Sequence, residues 1–329
     1  MTDRETLIRA FLDAQGWGDA ERSNLADDAS FRRYERLNRT DRPMVLMDAP
    51  PPQEDVRPFT AIARHLTALG YSAPKIEAED AEAGLLLLED LGDNTYTRAL
   101  NAGTNPEKLY GAAIDLLADL RRHPPPADLA PYDEAACLAE ADLLIDWFLP
   151  AVTGQETEEL VREAYHAAWR AVLDKADLGP PVLVLRDYHA DNLMWLPNRK
   201  DCARVGLLDF QDALAGSPAY DLVSLLEDIR RDVEPTLAEA MIVRYLAAAP
   251  DLDARRFRDA YAVLGGQRNA KIVGIFTRLW RRDGKAGYLD LIPRGWRLLE
   301  HDLAQPALAP VRAWFDEHVP SHLRRAPTP

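Results

Sequence analysis

The most constraining feature of the sequence is a pair of acids that each follow a short apolar run. The run at 183–185 leads to Asp187, and Asn192 comes five residues after that acid. A second, mostly apolar run at 204–208 ends directly before Asp209. Short apolar runs bounded by polar residues are typical of buried strands. Both acids are therefore expected on loops at strand ends.

A β-hairpin is predicted between the two acids. Residues 194–196 and 204–208 read as its strands, and residues 197–201 read as its turn, because the Pro and Asn in that stretch favour turns. Loops at the ends of these strands are expected to fix Asp187, Asn192 and Asp209 against one another.

This layout suits phosphoryl transfer, a reaction that asks the protein for positioning and charge neutralisation more than for covalent chemistry. One carboxylate must accept or orient the proton of an attacking hydroxyl, and we assign Asp187 as that base. Mg²⁺ prefers hard oxygen ligands. We therefore assign Asn192 and Asp209 as the metal ligands that hold Mg²⁺ on the nucleotide phosphates.

Two other interpretations of these residues stay open. Any single Asp is often a turn residue or a helix cap, although the joint pattern of two acids, an amide and a hairpin is more specific than that. A metal-dependent hydrolase would use the cluster around His189 and Asp191. It would need further ligands, usually several His, and the sequence has no second His-rich stretch.

Composition limits the class of protein. The chain has 329 residues, of which 47% are hydrophobic, and a net charge of −15. Its length predicts two domains or lobes, and its charge argues against nucleic acid or an anionic membrane as the main partner. No apolar run approaches the roughly 20 residues of a membrane span, and the first residues lack the apolar core of a signal peptide. The two cysteines form no metal or disulfide pattern. A cytoplasmic monomer is expected.

A family resemblance rests on the same residues. The motif Asp187-x-x-x-x-Asn192, followed by Leu208-Asp209-Phe210, resembles the catalytic and metal-binding motifs of the aminoglycoside phosphotransferase-like kinases. These are the small-molecule branch of the protein-kinase fold. The resemblance implies ATP as the phosphoryl donor, Mg²⁺ as the cofactor and a small-molecule alcohol as the acceptor.

The resemblance also implies an α+β, bilobal protein-kinase-like fold. A small, nucleotide-binding N-lobe with an antiparallel sheet is expected at 1–91. A larger, mainly helical C-lobe at 92–329 is expected to carry the catalytic loop, the metal site and the sugar-binding helices.

The ATP-binding residues implied by the resemblance lie in two places. Backbone N–H groups near Ser30 and Phe31 are expected to cradle phosphate, and Arg32 or Arg33 is expected to add positive charge. The alternative is an ordinary surface hairpin whose arginines are solvated.

The second place is the implied hinge, which follows four consecutive leucines at 85–88. There the backbone of Glu89 and Leu91 is expected to hydrogen-bond adenine. The alternative is a buried strand and a turn without any ligand.

Several positions depart from the kinase pattern. Leu185 stands where the family usually has His, and Gln211 stands where protein kinases have Gly. Kinases also place a Lys on the strand after the phosphate loop and pair it with a helix Glu. Here Met47 occupies the Lys position, and the predicted helix at 56–69 contains no acid. Either other residues hold the phosphates, with Arg32 or Arg33 as candidates, or the chain is a non-catalytic, nucleotide-binding relative.

A closer resemblance concerns the substrate. The stretches at 28–34, 88–92, 187–193 and 267–269 resemble the bacterial anomeric kinases of cell-wall recycling. Those enzymes phosphorylate the C1 hydroxyl of N-acetylmuramate and N-acetylglucosamine, so the resemblance implies an amino sugar as the acceptor. A kinase for another alcohol, such as an aminoglycoside or choline, is the rival.

Four residues are candidates for sugar binding. Glu140 and Trp147 lie on a helix predicted at 135–149, where a carboxylate and an aromatic ring are typical of sugar sites. Arg268 and Lys271 share one side of a later helix and would suit a carboxylate or phosphate. The alternatives are a solvated acidic face with a core Trp and salt bridges to the chain's many acids.

Overall fold

The structure, a computed structural model, describes residues 4–27, 31–39 and 42–328. Its helices are α1 (Arg4–Ala14), α2 (Arg57–Ala68), α3 (Tyr96–Asn101), α4 (Pro106–Leu120), α5 (Glu134–Leu143), α6 (Leu149–Thr153), α7 (Glu159–Leu173), α8 (Tyr220–Leu226), α9 (Pro235–Ala248), α10 (Ala254–Asp283), α11 (Ile292–Leu303) and α12 (Ala309–His318). Its strands are β1 (Glu21–Asp27), β2 (Arg33–Asn38), β3 (Met44–Asp48), β4 (Ile76–Asp80), β5 (Leu85–Glu89), β6 (Val182–Val184), β7 (Leu193–Trp195), β8 (Val205–Leu207) and β9 (Leu214–Gly216).

The chain divides into two compact units. Unit 1 comprises Met1–Ala113 and Asp191–Ala213, and unit 2 comprises Ile114–Ala190 and Leu214–Pro329. This division by packing differs from the lobe boundary predicted after residue 91, because α3 and the hairpin after Asn192 pack with the N-terminal sheet. The lobe boundary itself stays a prediction.

Unit 1 is built on a five-stranded antiparallel sheet of order β1-β2-β3-β5-β4. Alternate residues of a strand face opposite sides of a sheet. On one side, Met44 and Leu46 of β3 are buried with Ile8 and Phe11 of α1 in one apolar cluster. On the other side, Val45 lines a cavity. The sheet thus has one core face and one face directed to a ligand-sized space.

Strand β1 is not predicted from the sequence. Its seven residues are mostly polar and include one Leu, so they lack the apolar alternation by which strands are recognised. β1 lies at the edge of the sheet, where its backbone pairs with β2 alone.

The hairpin predicted after Asn192 is present as β7 and β8, each shorter than expected, with Leu193 opposite Leu207. Several hydrogen bonds attach it to the N-terminal part of unit 1. The Leu207 N–H donates to the Ser72 carbonyl (2.8 Å), the Ser72 hydroxyl donates to the Ala203 carbonyl (2.6 Å), and the Trp195 N–H donates to the Asn94 carbonyl (2.7 Å).

Unit 2 is mainly helical and packs around α10. This 30-residue helix begins after Asp253, whose carboxylate accepts the N–H groups of Arg255 and Arg256, and ends at Gly284 with a φ of +69°. Asp is a favoured N-cap, and a left-handed Gly is a favoured helix terminator. The helix predicted at 135–149 is interrupted by a π-helical turn at Leu144–Phe148. Trp147 therefore lies on that turn instead of on a continuous α-helix. Within the described residues, no helix is long and apolar enough to cross a lipid bilayer.

A close helix contact in unit 2 gives a stability test. A Cβ atom on Gly274 of α10 would overlap the backbone carbonyl of Leu143. We expect Gly274→Ala to lower the free energy of unfolding by at least about 2 kcal/mol, because backbone cannot move aside cheaply, despite the better helix propensity of Ala. Urea unfolding measures the change. Gly287→Ala is the control, since nothing lies within 4 Å of its added Cβ. Equal stability of the two variants would contradict the contact.

Candidate active site

Unit 1 contains a cavity of about 440 Å³. This volume lies in the usual range for small-molecule sites. Its lining includes Val45 and Leu88 from the sheet. The predicted site residues in its lining are Glu89, Leu91, Asn192 and Asp209. Two predicted adenine contacts and two predicted metal ligands thus share one cavity.

The predicted hinge at the end of β5 leaves a backbone donor available. Among the described residues, the N–H of Leu91 has no hydrogen-bond acceptor. The N–H of Glu89 already donates to the Lys75 carbonyl (2.8 Å), and the Glu89 carboxylate accepts from Arg199 (2.6 Å). Of the two N–H groups, that of Leu91 is the one that a ligand in the cavity can use.

The two predicted metal ligands are side by side. The Asn192 amide donates to Asp209 Oδ2 (3.2 Å), and the Asn192 carbonyl accepts the Leu208 N–H (3.0 Å). Asp209 has a φ of +58°. Left-handed backbone is uncommon outside Gly but is tolerated by Asp, and such conformations cluster at functional sites.

This donor set fits Mg²⁺. Mg²⁺ is usually bound by one or two protein oxygens, with phosphates and water completing the shell. Asn192 and Asp209 supply an amide and a carboxylate at hydrogen-bond distance. Nowhere in the described ranges do three or more His, Cys, Asp or Glu side chains form a cluster that would hold a metal by themselves.

Gln211 takes part in this site, which the sequence did not predict. Its amide donates to Asp209 Oδ1 (2.8 Å), so each carboxylate oxygen of Asp209 accepts one amide N–H. The only signal in the sequence was the departure from Gly at this position. The side chain that replaces Gly orients the carboxylate.

The predicted phosphate-binding residues have different surroundings. Phe31 is 69% exposed, and Arg33 begins β2 in an exposed position. Arg32 is largely buried and forms an ion pair with Glu54 (3.3 Å). Ser30 lies outside the described residues. Arg32, not Arg33, is therefore the arginine held in place.

Met47 is fully buried at the position where kinases have Lys. It lies between Tyr34 of β2 and Leu86 of β5 in the sheet. On α2, Phe59 stacks on Phe210, with ring centroids 4.9 Å apart and an interplanar angle of 22°. An aromatic contact thus joins this helix to the residue after Asp209.

Unit 2 carries the loop that leads to Asp187. The N–H groups of Leu185 and Arg186 donate to the two carboxylate oxygens of Asp221 (2.7 and 2.9 Å). The Ser224 hydroxyl donates to the Arg186 carbonyl (3.0 Å). These bonds hold Arg186 at a φ of +68°, an unfavourable conformation for an Arg. The orientation of the next residue, Asp187, depends on them.

Asp221 lies inside the first turn of α8, after the N-cap Ala219, and its carboxylate ties this helix to the loop before Asp187. Burial raises the pKa of Asp221 to about 7, against the opposing effect of the two backbone N–H groups. Because this buried carboxylate accepts the two backbone N–H groups of the loop, its ionisation state affects how firmly the loop is held.

The end of the same loop is held in a similar way. The Ala190 N–H donates to Asp228 Oδ2 (3.3 Å), and Asp228 Oδ1 accepts the Arg230 N–H (2.8 Å). His189 is buried, with its Nε2 3.4 Å from the Arg230 guanidinium. Two buried acids near α8 therefore bracket the segment that contains Asp187.

Glu140 and Lys271, two of the predicted sugar contacts, form an ion pair in unit 2 (2.7 Å). Arg186 and the Tyr132 hydroxyl also donate to the Glu140 carboxylate. Burial alone would raise the pKa of Glu140, but the charges of Lys271 and Arg186 outweigh it, and the pKa is lowered. Arg186 was not predicted, and it links this group to the loop of Asp187.

The other two predicted sugar contacts lie elsewhere in unit 2. Arg268 is 5% exposed and donates to the Ser224 hydroxyl (3.0 Å). Arg268 lies on α10, as Lys271 does, but it does not belong to the cluster that Lys271 forms with Glu140. Trp147 is partly exposed on the π-helical turn. The structure thus brings Glu140 and Lys271 together without Arg268 or Trp147.

Comparison with known proteins identifies the family. The model of the phosphotransferase enzyme family matches residues 21–259. The chain belongs to this family. The membership confirms the predicted family resemblance and the predicted enzyme class.

Two curated relatives of this family member match nearly its whole length. The N-acetylmuramate/N-acetylglucosamine kinase of Caulobacter vibrioides is 41% identical, over 98% of this chain and 99% of the relative. The kinase of the same name from Pseudomonas aeruginosa is 39% identical, over 90% of this chain and 89% of the relative.

A solved structure shows the fold. The ADP-bound aminoglycoside phosphotransferase APH(2'')-Ib superposes with a TM-score of 0.63 at 17% identity, over 90% of this chain and 97% of that one. The predicted α+β, kinase-like fold of this phosphotransferase is confirmed.

The tie between Asp221 and the loop gives a test of catalysis. Asn at position 221 accepts through one oxygen only, so Asp221→Asn loses one backbone hydrogen bond. We expect turnover to fall on the order of 10- to 100-fold, because Asp187 is misplaced. The wild-type carboxylate takes up a proton as the pH falls through about 7 and weakens the same tie, so turnover should decline there.

The pH profile of kcat for both proteins checks this. The variant should lack the decline near pH 7. Asp115→Asn, which alters an exposed pair with Arg244, should behave as wild type. A variant that keeps the full acid limb would show that Asp221 does not cause it.

Proposed function

We propose that this phosphotransferase transfers the γ-phosphoryl group of ATP to the anomeric C1 hydroxyl of N-acetylmuramate and N-acetylglucosamine, as part of peptidoglycan recycling. The observation that carries the proposal is the 41% identity, across nearly the whole of both chains, to a kinase named for these two sugars. Because ATP is the donor, we place the reaction in the cytoplasm. The aminoglycoside phosphotransferase at 17% identity shares the fold and does not select the acceptor.

The donor site is proposed in the cavity of unit 1. The available N–H of Leu91 and the backbone of Glu89 are suited to adenine. Asn192 and Asp209 would hold Mg²⁺, which when bound neutralises charge on the phosphates. The segment from Ser30 to Arg33 is proposed to cover the phosphates, with Arg32 as its fixed cation.

Asp187 is proposed as the base and orienting group. Its carboxylate accepts the proton of the C1 hydroxyl as that oxygen forms a bond to the γ-phosphorus, and the bond from that phosphorus to the ADP oxygen breaks. Asp221 keeps the preceding backbone in place, so that Asp187 needs little reorganisation. This role is supported by the spacing to Asn192 and by the strained backbone at Arg186.

The sugar site is proposed around Glu140 and Lys271, and Trp147 lies outside this cluster. Two cations, Lys271 and Arg186, share one carboxylate. This excess of positive charge suits an anionic group on the acceptor, and the lactyl carboxylate of N-acetylmuramate is such a group. Arg268 was also proposed as its partner, but its burial favours a role in joining α8 to α10.

Direct observation of the product tests the proposed reaction. ³¹P NMR of ATP, Mg²⁺ and either amino sugar should show a sugar 1-phosphate with wild type. Asp187→Asn should lower the rate by about 10²- to 10⁴-fold, the usual contribution of a general base. Asp201→Asn is a matched control, because Asp201 is exposed and Asn tolerates its φ of +49°.

Other outcomes would redirect the assignment. Phosphate on kanamycin and on neither amino sugar would make the enzyme an antibiotic kinase. Tight ATP binding without transfer to any acceptor would make it a non-catalytic relative.

Lys271→Met tests the sugar site. Loss of a charge-assisted hydrogen bond to the lactyl carboxylate should raise KM for N-acetylmuramate by about 10- to 100-fold. N-acetylglucosamine has no lactyl group, so its KM should change little. Steady-state kinetics on both sugars measures the difference, with Lys285→Met at an exposed position as the control. Equal losses on both sugars would indicate a structural role for Lys271.

A further inference from the structure

The ion pair that kinases use to hold ATP phosphates is missing from its usual place in unit 1. In kinases, a Lys on β3 contacts the phosphates and pairs with a Glu on the following helix. Here β3 carries Met47, which is fully buried, and the twelve residues of α2 include no Asp or Glu. Neither the Lys nor the Glu of the usual pair is therefore present at these positions.

Another ion pair of the same chemical type lies in the same unit. Arg32 Nε is 3.3 Å from Glu54 Oε2, and the two side chains are only 11% and 16% exposed. Glu54 Oε1 also accepts the Phe31 N–H (3.1 Å). One carboxylate from the segment before α2 therefore holds both the guanidinium and the backbone of the loop that leads into β2.

The charge of Arg32 acts on the metal-ligand pair. Burial alone would lower the pKa of the guanidinium, but the pKa is raised by Tyr34, Glu54, Asp209 and Asp212. The charges of Arg32 and of Asp209, the proposed Mg²⁺ ligand, therefore interact. A fixed cation that interacts with the metal ligand suits the negatively charged phosphates.

We propose that Arg32 and Glu54 replace the missing Lys–Glu pair, with Arg32 binding the β- and γ-phosphate oxygens of ATP and Glu54 positioning Arg32. An Arg fork binds phosphate through two parallel N–H groups, which Lys cannot do. Glu54 is a positioning residue that acts through Arg32. The proposal rests on the proposed function only in taking ATP as the ligand.

Nucleotide binding by the full chain, without any sugar, tests the proposal. Isothermal titration calorimetry with ATP·Mg²⁺ and with AMP compares the phosphate contacts with the adenine contacts. We expect Arg32→Met to weaken ATP binding by about 10- to 100-fold, as for a lost charge-assisted hydrogen bond. AMP lacks the β- and γ-phosphates, so its affinity for the variant should equal its affinity for wild type. Arg64→Met, which removes an exposed cation of α2 that pairs with Glu79, is the control and should leave both affinities unchanged.

Variants of Glu54 test its positioning role. Glu54→Gln keeps an acceptor for the Phe31 N–H but removes the charge, and it should weaken ATP binding less than Arg32→Met does. The double variant should bind ATP no more weakly than Arg32→Met alone, because Glu54 acts through Arg32. Arg32→Lys should restore part of the affinity.

Three results would overturn the proposal. They are unchanged ATP affinity in Arg32→Met, equal losses of ATP and AMP affinity, and additive losses in the double variant. Failure of the proposed function would be distinct, since wild type would then bind ATP with the expected variant pattern and phosphorylate neither amino sugar.

Discussion

The carboxylate of Asp221 holds the loop of unit 2 that leads to Asp187. It accepts two consecutive backbone N–H groups directly before Asp187 and so holds Arg186 in a left-handed conformation. From that conformation the Arg186 side chain reaches Glu140 on α5, and Glu140 in turn pairs with Lys271 on α10. Two helices and the loop that leads to Asp187 are therefore linked through one buried acid. A buried acid that accepts two N–H bonds is stable where an unpaired one is not.

The features predicted correctly from the sequence are those that depend on local sequence patterns. The apolar runs before Asp187 and Asp209, and the turn between them, depend on neighbours a few residues away, and the structure has strands there. The family motif adds specific spacing, and the match to the phosphotransferase family confirms the resemblance that was based on it. Pattern and spacing were sufficient for the α+β fold and for the side-by-side placement of Asn192 and Asp209.

The features that escaped prediction depend on contacts between distant parts of the chain. β1 is polar and becomes a strand because β2 offers a free edge. Arg268 looks like part of a cationic face by its spacing, but the packing of α8 buries it. Glu54 lies far in sequence from Arg32, and nothing in its own neighbourhood signals the ion pair. In the sequence, Gln211 stood out only because it replaces Gly. Its role could not be predicted, because that role depends on where the Asp209 carboxylate lies in the fold.

The stacking of Phe59 on Phe210 bears on inhibitor design. Phe210 is 1% exposed, and its stacking partner Phe59 lines the cavity that also contains Asp209. A compound that had to displace this ring would forfeit about 2 kcal/mol of burial and about 1 kcal/mol of ring stacking before it made any contact of its own. Compounds that leave Phe210 in place and use the backbone donor at Leu91 avoid that cost. Protein kinases have an ammonium group at the position of Met47, which is buried here, so a compound designed for this cavity would not need to match that charge.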